Sequence, residues 1–163
     1  TLALGEETKL NNTSMTAKAF PLSHGNPFES TAFLIKNEEN YVLYLGDTGP
    51  DEIEKSNDLR ILWEAMAPLI KAKQLRGIFI EVSFPNEQPD NALYGHLTPN
   101  HLMKELSKLE ELNGKGSLQD LKIIITHRKP PTKNIQKIKE QLKKDNALGV
   151  DFIFPEQGKK FEL

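Results

Sequence analysis

The sequence has 163 residues, a length that allows one domain with a substantial core. Its 21 basic and 23 acidic residues give a formal charge of −2, which argues against DNA or RNA as a partner and leaves a small phosphorylated substrate open. The lack of cysteine excludes disulfides and thiolate metal sites, and no apolar run approaches the roughly 20 residues of a membrane span, so we expect no membrane partner.

The first part of the chain is predicted to be β structure. Residues 1–14 are polar, and Asn11-Asn12-Thr13-Ser14 is predicted to be a turn or loop. The predicted strands cover Thr16 to Leu22, Ser30 to Lys36 and Tyr41 to Leu45. The second and third of these are separated by Asn37-Glu38-Glu39-Asn40, a composition typical of a hairpin turn. We therefore expect a β-hairpin near the N-terminus.

From Ser56 onward, apolar residues recur every three or four positions, which indicates amphipathic helices. Ser56 or Asp58 is a candidate N-cap for the first helix, and Thr98-Pro99 starts a second that ends near Gly114. The predicted helical stripes include Leu59, Leu62, Trp63, Met66 and Ile70, then Leu102, Leu106, Leu109 and Leu112, then Ile135, Ile138 and Leu142. Continuous apolar runs predict buried strands at Gly77 to Val82, Leu121 to Thr126 and Val150 to Phe154. This alternation predicts an α/β fold whose sheet is mixed.

Three residues that can bind a metal ion follow predicted strands directly: His24, Asp47 and His127. Side chains at the carboxyl ends of neighbouring strands converge in space, so their distance along the chain is no objection to a shared site. Taken singly, each has a plainer interpretation. Asp47 lies in a Gly-Asp-Thr-Gly-Pro turn, and a lone histidine beside a strand is more often structural than a ligand.

Longer blocks around these residues resemble the class II cyclic nucleotide phosphodiesterases. Phe20-Pro21-Leu22-Ser23-His24-Gly25 and Leu45-Gly46-Asp47-Thr48-Gly49-Pro50-Asp51 match first, and further blocks follow in the family's order up to Ile125-Thr126-His127. The resemblance implies the C-terminal half of an αββα metallo-β-lactamase-like sandwich. It also implies metal-dependent hydrolysis of 3′,5′-cyclic nucleotides, cAMP or cGMP, to nucleoside 5′-monophosphates, with a small-molecule cyclic nucleotide as the binding partner.

The resemblance gives the three candidates separate roles. It implies that His24 binds one metal ion, that Asp47 bridges both ions and that His127 binds the second. The implied cofactor is Zn²⁺, two ions per complete site, with other divalent metals possible. The superfamily motif His-x-His-x-Asp-His should precede these blocks, and the sequence does not contain it. We therefore expect residues 1–163 to form one domain that lacks the N-terminal half of the site.

A proton donor for the departing sugar oxygen is expected among the remaining histidines. His96 lies between Gly95 and the Thr98-Pro99 helix start, and Glu81, at a strand end, is placed to orient its ring. The sequence blocks that contain Glu81 and His96 also resemble those of the corresponding pair in RNase Z-type enzymes. Ser23, Thr48 and Ser83 are weaker candidates for orienting the site. His101 fits no motif and is expected to face solvent.

Two other functions remain open at this point. The chain is an inactive fragment or binding module if the missing motif leaves it without metal, and metal analysis would distinguish this case. The other alternative is an RNase Z-like phosphodiesterase. Such a nuclease should have a basic surface for RNA, and the net charge of −2 gives this hypothesis little support. Half of a sandwich should expose an apolar sheet face, so we expect a homo-oligomer or pairing with the missing half. The resemblance is compatible with a cytoplasmic or a bacterial periplasmic enzyme.

Overall fold

The computed structural model describes residues 3–163. Seven strands and four helices follow one another in the order β1 (Glu7–Lys9), β2 (Thr16–Ser23), β3 (Glu29–Asn37), β4 (Asn40–Leu45), α1 (Asp51–Glu54), α2 (Asp58–Lys71), β5 (Leu75–Glu81), α3 (Pro99–Asn113), β6 (Lys122–Thr126), α4 (Thr132–Lys144) and β7 (Asp151–Ile153). A single 3₁₀ turn, Asp90–Ala92, interrupts the long loop between β5 and α3.

The seven strands form one sheet in sequence order. Strands β1 to β4 pair antiparallel, and β4 to β7 pair parallel, so the predicted mixed sheet is confirmed. The predicted hairpin is also confirmed, because β3 and β4 are joined through Glu38 and Glu39 with Asn37 paired to Asn40. Glu38 has a φ of 55°, the left-handed conformation that tight hairpin turns require.

The helices cover one face of the sheet. Because α2, α3 and α4 each connect neighbouring parallel strands that advance in the same direction, the right-handed crossover rule places all three on the same side. Their apolar stripes pack on the inward-facing residues of the strands, and Trp63 lies fully buried in this core. The core residues of the central strands include Leu22, Leu34, Leu43, Leu45, Ile78, Ile80, Ile123 and Ile125.

The opposite face of the sheet carries apolar side chains without a helix over them. Phe33 of β3 pairs with Tyr44 of β4, and Tyr44 remains 47% exposed. The C-terminal residues return along part of this face, where the Phe161 ring lies 6.0 Å from that of Phe79. We refer to the surface formed by Phe33, Ile35, Val42 and Tyr44 as the open sheet face.

The turn predicted at Asn11-Asn12-Thr13-Ser14 is confirmed, and β1, which the sequence did not indicate, precedes it and pairs with β2; residues 1 and 2 lie outside the described range. Two local expectations are wrong, the cap of α2 and the exposure of His101. Neither Ser56 nor Asp58 caps α2; Asn57 occupies the N-cap position, and the Asp51 carboxylate accepts hydrogen bonds from the backbone N–H groups of Leu59 and Arg60 at 3.1 and 2.9 Å. A carboxylate from the preceding helix therefore performs the capping.

His101 does not face solvent as expected but is 94% buried, with 6% of its surface exposed. It lies in the first turn of α3, where its Nδ1 is 2.8 Å from the Thr98 hydroxyl and its Nε2 is 3.3 Å from Asp90. The long loop before α3 folds back over this turn and covers the ring. Helical periodicity alone gives no information about such a loop.

In residues 3–163, no helix is both long enough and apolar enough to cross a bilayer.

Candidate metal and phosphoryl site

The candidate site lies at one edge of the sheet, where several strands end. Strands β2 and β4 run in the same direction because β3 lies antiparallel between them, and β5 and β6 are parallel to β4. His24, Asp47 and His127 follow the carboxyl ends of β2, β4 and β6 within two residues. The structure therefore brings the three predicted ligands to a common edge, together with Glu81, the last residue of β5.

The distances between these side chains define a compact cluster, which we call the histidine–aspartate cluster: His24, Asp47, His96 and His127. Ligand atoms of His24, Asp47 and His96 all lie within 4.8 Å of one another. His127 Nε2 is 3.5 Å from Asp47 Oδ2, and the His127 ring stacks on that of His96 with centroids 5.3 Å apart. The predicted proton donor His96 thus lies among the predicted ligands.

The orientation of His24 is fixed by the loop that carries His96. Its Nδ1 lies 2.8 Å from the carbonyl oxygen of Gly95, which can only accept, so the proton is on Nδ1 and Nε2 is left with a lone pair. Gly95 has a φ of 77°, and a Cβ there would overlap the backbone of His24 and Gly25. Only glycine allows the two loops to approach this closely.

His96 is held from below by Glu81. The Nδ1 of His96 is 2.6 Å from Glu81 Oε1, and both residues are buried, at 4% and 1% exposure. The Thr48 backbone N–H donates to Glu81 Oε1 at 3.2 Å, and the Ser83 hydroxyl is 2.6 Å from Oε2. The buried carboxylate is therefore fully hydrogen-bonded, and the ring of His96 directs its Nε2 toward the cluster.

Among the weaker candidates, Thr48 contacts the site through Glu81, and the Ser83 hydroxyl also lies 3.3 Å from His96 Nδ1 and 3.1 Å from the carbonyl oxygen of His127. Ser23 contacts the site through its main chain, because its carbonyl oxygen accepts a hydrogen bond from the Thr48 hydroxyl at 3.2 Å. The Ser23 hydroxyl points elsewhere and lies 2.5 Å from the Asp58 carboxylate. Ser23 therefore ties the site edge to the start of α2.

Lys129 is a site residue that the sequence pattern did not identify. Its Nζ is 2.6 Å from His96 Nε2 and 5.0 Å from the centroid of the Phe84 ring. It lies two residues after His127, within the stretch that the resemblance covers, but outside the motifs that supplied candidate residues. The available signal was a lysine beside a candidate metal ligand, which is too common on protein surfaces to be informative alone.

The donor set of the cluster fits a divalent metal ion. Two ligands bound at 2.0–2.1 Å to a tetrahedral ion lie about 3.3 Å apart, and His127 Nε2 and Asp47 Oδ2 are 3.5 Å apart. Imidazole nitrogens with a carboxylate suit zinc and similar ions. The hydrogen bond from His24 to a carbonyl is of the kind that orients metal-binding histidines.

Comparison with known families agrees with the fold and with the sequence blocks. The model for class II cAMP phosphodiesterases matches residues 5–158. A 3′,5′-cyclic-nucleotide phosphodiesterase from Aliivibrio fischeri is 53% identical over 156 residues, covering 93% of this chain and 47% of the relative. A probable enzyme of the same name from Yersinia pestis is 40% identical over 158 residues, covering 94% of this chain and 46% of the relative.

Solved structures show the same relationship. Unliganded yeast PDE1 superposes with a TM-score of 0.85 at 27% identity, covering 96% of this chain and 48% of that one. A metallo-β-lactamase fold protein from Bacillus subtilis superposes with a TM-score of 0.57 at 14% identity over 94% of this chain and 52% of its own length, a likeness of fold alone. The chain thus spans about half the length of these relatives, with 47% coverage of the Aliivibrio protein.

Proposed function

Because the chain belongs to the class II cAMP phosphodiesterase family, we propose that it carries part of a metal-dependent site that hydrolyses 3′,5′-cyclic nucleotides to nucleoside 5′-monophosphates. The observation that supports this most directly is the histidine–aspartate cluster, whose ligand atoms meet at the edge of the sheet although they come from distant parts of the chain. The names of the relatives supply the substrate class.

Three residues of the cluster hold the metal in this proposal. His24 binds through Nε2, Asp47 through its carboxylate oxygens, and His127 through Nε2, which already lies near Asp47. Zinc is the proposed metal, two ions in a complete site. When bound, such ions polarise phosphoryl oxygens and make water more acidic at neutral pH. The ligands missing from this chain come from the remainder of a longer protein or from a second chain.

His96 supplies the proton in the proposed reaction. Formation of a 5′-monophosphate breaks the bond between phosphorus and the ribose O3′, while a water oxygen bonds to phosphorus. The departing O3′ takes up a proton from His96 Nε2, the ring nitrogen that Glu81 leaves free, and the proton that the water loses goes to solvent. Glu81 keeps the opposite ring nitrogen bonded and stabilises the ring when it is charged. Thr48 and Ser83 keep Glu81 in place.

His96 also has geometry suited to a metal ligand, since it belongs to the compact group with His24 and Asp47. We assign it the proton because its Nδ1 is bonded to a buried carboxylate that no other residue of the cluster contacts this closely. The residues 1–163 act as one domain in this proposal, and the open sheet face is the surface that meets the rest of the assembly.

The proposal is tested with the full-length gene product that carries this chain. After zinc loading, it should hydrolyse cAMP or cGMP, with the 5′-monophosphate as the product identified by chromatography. Removal of the metal by a chelator should abolish turnover, and zinc should restore it. The 2′,3′-cyclic isomer serves as the matched control substrate. A zinc-loaded protein that leaves both 3′,5′-cyclic nucleotides intact contradicts the proposal.

The same measurements on the 163-residue chain distinguish a partial site from an inactive module. Two or more zinc ions per chain with hydrolysis would mean that copies of the chain complete one another's sites. A metal-free, inactive chain beside an active full-length protein would mean that the missing ligands lie elsewhere in the gene product. Preference between cAMP and cGMP follows from the same assay, by comparison of kcat/KM.

A further inference from the structure

Lys129 brings a positive charge to the cluster that no described acidic residue neutralises. Within residues 3–163, no carboxylate forms an ion pair with its ammonium group inside 4.0 Å. Its ammonium group lies 2.6 Å from the His96 imidazole and 5.0 Å from the centroid of the Phe84 ring. The side chain is half-buried, so water screens this charge only in part.

The contact with His96 fixes where an anion would lie. An ammonium group only donates hydrogen bonds, so His96 Nε2 accepts from Lys129 while Nδ1–H donates to Glu81. Nε2 is the atom that faces the departing O3′ in the proposed reaction. A phosphoryl group bound by Lys129 is therefore held beside the ring atom that protonates its leaving oxygen.

We propose, on the basis of the phosphodiester hydrolysis proposed above, that Lys129 binds the phosphoryl group of the substrate and places its scissile bond against His96. Phe84 and His96 hold the lysine between them, so its charge is directed into the cluster before substrate binds. An arriving phosphate oxygen replaces the imidazole as the acceptor of the ammonium hydrogen bond. The phosphate thereby gains a charge-assisted contact, and His96 Nε2 is free to take up from solvent the proton that it transfers to O3′.

The neighbouring cation provides a contrast. Arg128 Nη2 donates to the carbonyl oxygen of Pro155 at 2.7 Å, which ties it to the C-terminal segment rather than to the cluster. Two adjacent positive residues thus have different partners, one structural and one directed into the site. Arg128→Met is therefore a matched control for Lys129→Met, because it removes the same charge one residue away.

The test measures binding of 5′-AMP and of uncharged adenosine to the zinc-loaded full-length gene product by titration calorimetry. Lys129→Met retains the length of the side chain over Phe84 but removes its charge. We expect it to weaken 5′-AMP binding by about 10- to 100-fold, as for loss of a hydrogen bond to a charged group. Adenosine binding should change less than about twofold. Lys129→Arg should recover most of the loss, and Arg128→Met should match the unaltered protein.

Zinc content and the thermal unfolding midpoint establish that each variant is folded and loaded. Equal 5′-AMP affinity in Lys129→Met and the unaltered protein overturns the inference, as does a parallel loss of adenosine binding or a failure of the unaltered protein to bind 5′-AMP. Lysine-dependent 5′-AMP binding without hydrolysis of 3′,5′-cyclic nucleotides overturns the proposed function and leaves this role of Lys129 standing. If Lys129→Met hydrolyses 3′,5′-cyclic nucleotides with an unchanged KM and binds 5′-AMP with unchanged affinity, the proposed function stands and the role of Lys129 is overturned.

Discussion

Glu81 Oε1 lies 2.6 Å from Nδ1 of His96, and the two side chains are buried together beneath the histidine–aspartate cluster. This contact joins the end of β5 to the loop before α3, fifteen residues later in the chain. Glu81 is only 1% exposed, too little to act on substrate directly. Its influence on chemistry therefore passes through the orientation and charge of the His96 ring.

Replacement of Glu81 by glutamine should lower kcat by about 10²- to 10⁴-fold, the range for loss of a positioned proton donor. Glutamine has nearly the same shape but cannot stabilise a charged imidazole as a carboxylate does. Zinc content should stay near that of the unaltered protein, measured by plasma mass spectrometry. Glu87→Gln is the control, because Glu87 lies on the surface and pairs with Lys137. Unchanged kcat in Glu81→Gln would remove the pair from the mechanism.

The roles of Asp47 and His96 should separate in a metal analysis. Asp47→Ala should lose zinc, because a carboxylate at the centre of the cluster is removed. His96→Ala should lower turnover while it keeps zinc near the normal content. The comparison uses full-length protein with kcat and zinc stoichiometry measured on the same samples. If both variants lose zinc equally, His96 is a metal ligand and not the proton donor.

Asp51 should make a measurable contribution to stability. Its buried carboxylate accepts from the backbone N–H groups of Leu59 and Arg60 and from the Ser56 hydroxyl at 2.8 Å. Asp51→Ala leaves these donors at the start of α2 unpaired, so the free energy of unfolding should fall by about 2 kcal/mol. Urea denaturation measures the change. The control is Glu52→Ala, because Glu52 lies on the exposed side of α1, next to Asp51. It should change the free energy of unfolding by less than about 0.5 kcal/mol. A similar loss in both variants would argue against capping.

Stability should also fall on mild acidification because of His101. Burial lowers the pKa of His101, and the nearby Lys104 lowers it further, against the raising effect of Asp90. The unfolded state, with a pKa of about 6.5, then binds more protons than the folded state in the window just below that value. This contribution to stability is present above about pH 6.5 and is lost as the pH falls toward the lower folded pKa.

The measurement is the urea midpoint at about pH 7.5 and about pH 5.5, on either side of the ordinary histidine pKa. His101→Asn retains an acceptor for the Thr98 hydroxyl, which lies 2.8 Å from Nδ1, but does not titrate. Its midpoint should depend less on pH than that of the unaltered protein. Identical pH dependence in the two proteins would show that His101 is protonated equally in both states.

The open sheet face should drive association of the 163-residue chain. Tyr44 is 47% exposed there and is surrounded by other apolar side chains of β3 and β4, which is the kind of patch that mediates contacts between sheets. Tyr44→Lys should shift sedimentation toward the monomer. Ile61→Lys is the control, since Ile61 is 53% exposed but lies on α2, on the other side of the sheet. A monodisperse monomer before any substitution would contradict this expectation.

Local patterns in the sequence were sufficient for most of the secondary structure. The hairpin of β3 and β4, the Thr98-Pro99 helix start and the buried strands β5 and β6 are all where the sequence predicts them, because turn residues, caps and apolar periods act over a few positions. The strand ends that carry His24, Asp47 and His127 were located in the same way. The family was also identified from short sequence blocks, and the comparisons confirm it.

Only the tertiary structure decided which side chains meet. No local pattern shows that Asp51 caps α2, that the loop before α3 buries His101, or that Lys129 reaches His96 across a gap of 33 residues. The first two depend on the path of a connecting segment before a helix, and the contact of Lys129 with His96 depends on long-range packing at the sheet edge. The sequence by itself determined the strands, the family and the metal-binding residue types; the fold determined their spacing and the position of the lysine charge, because both depend on residues distant in the chain.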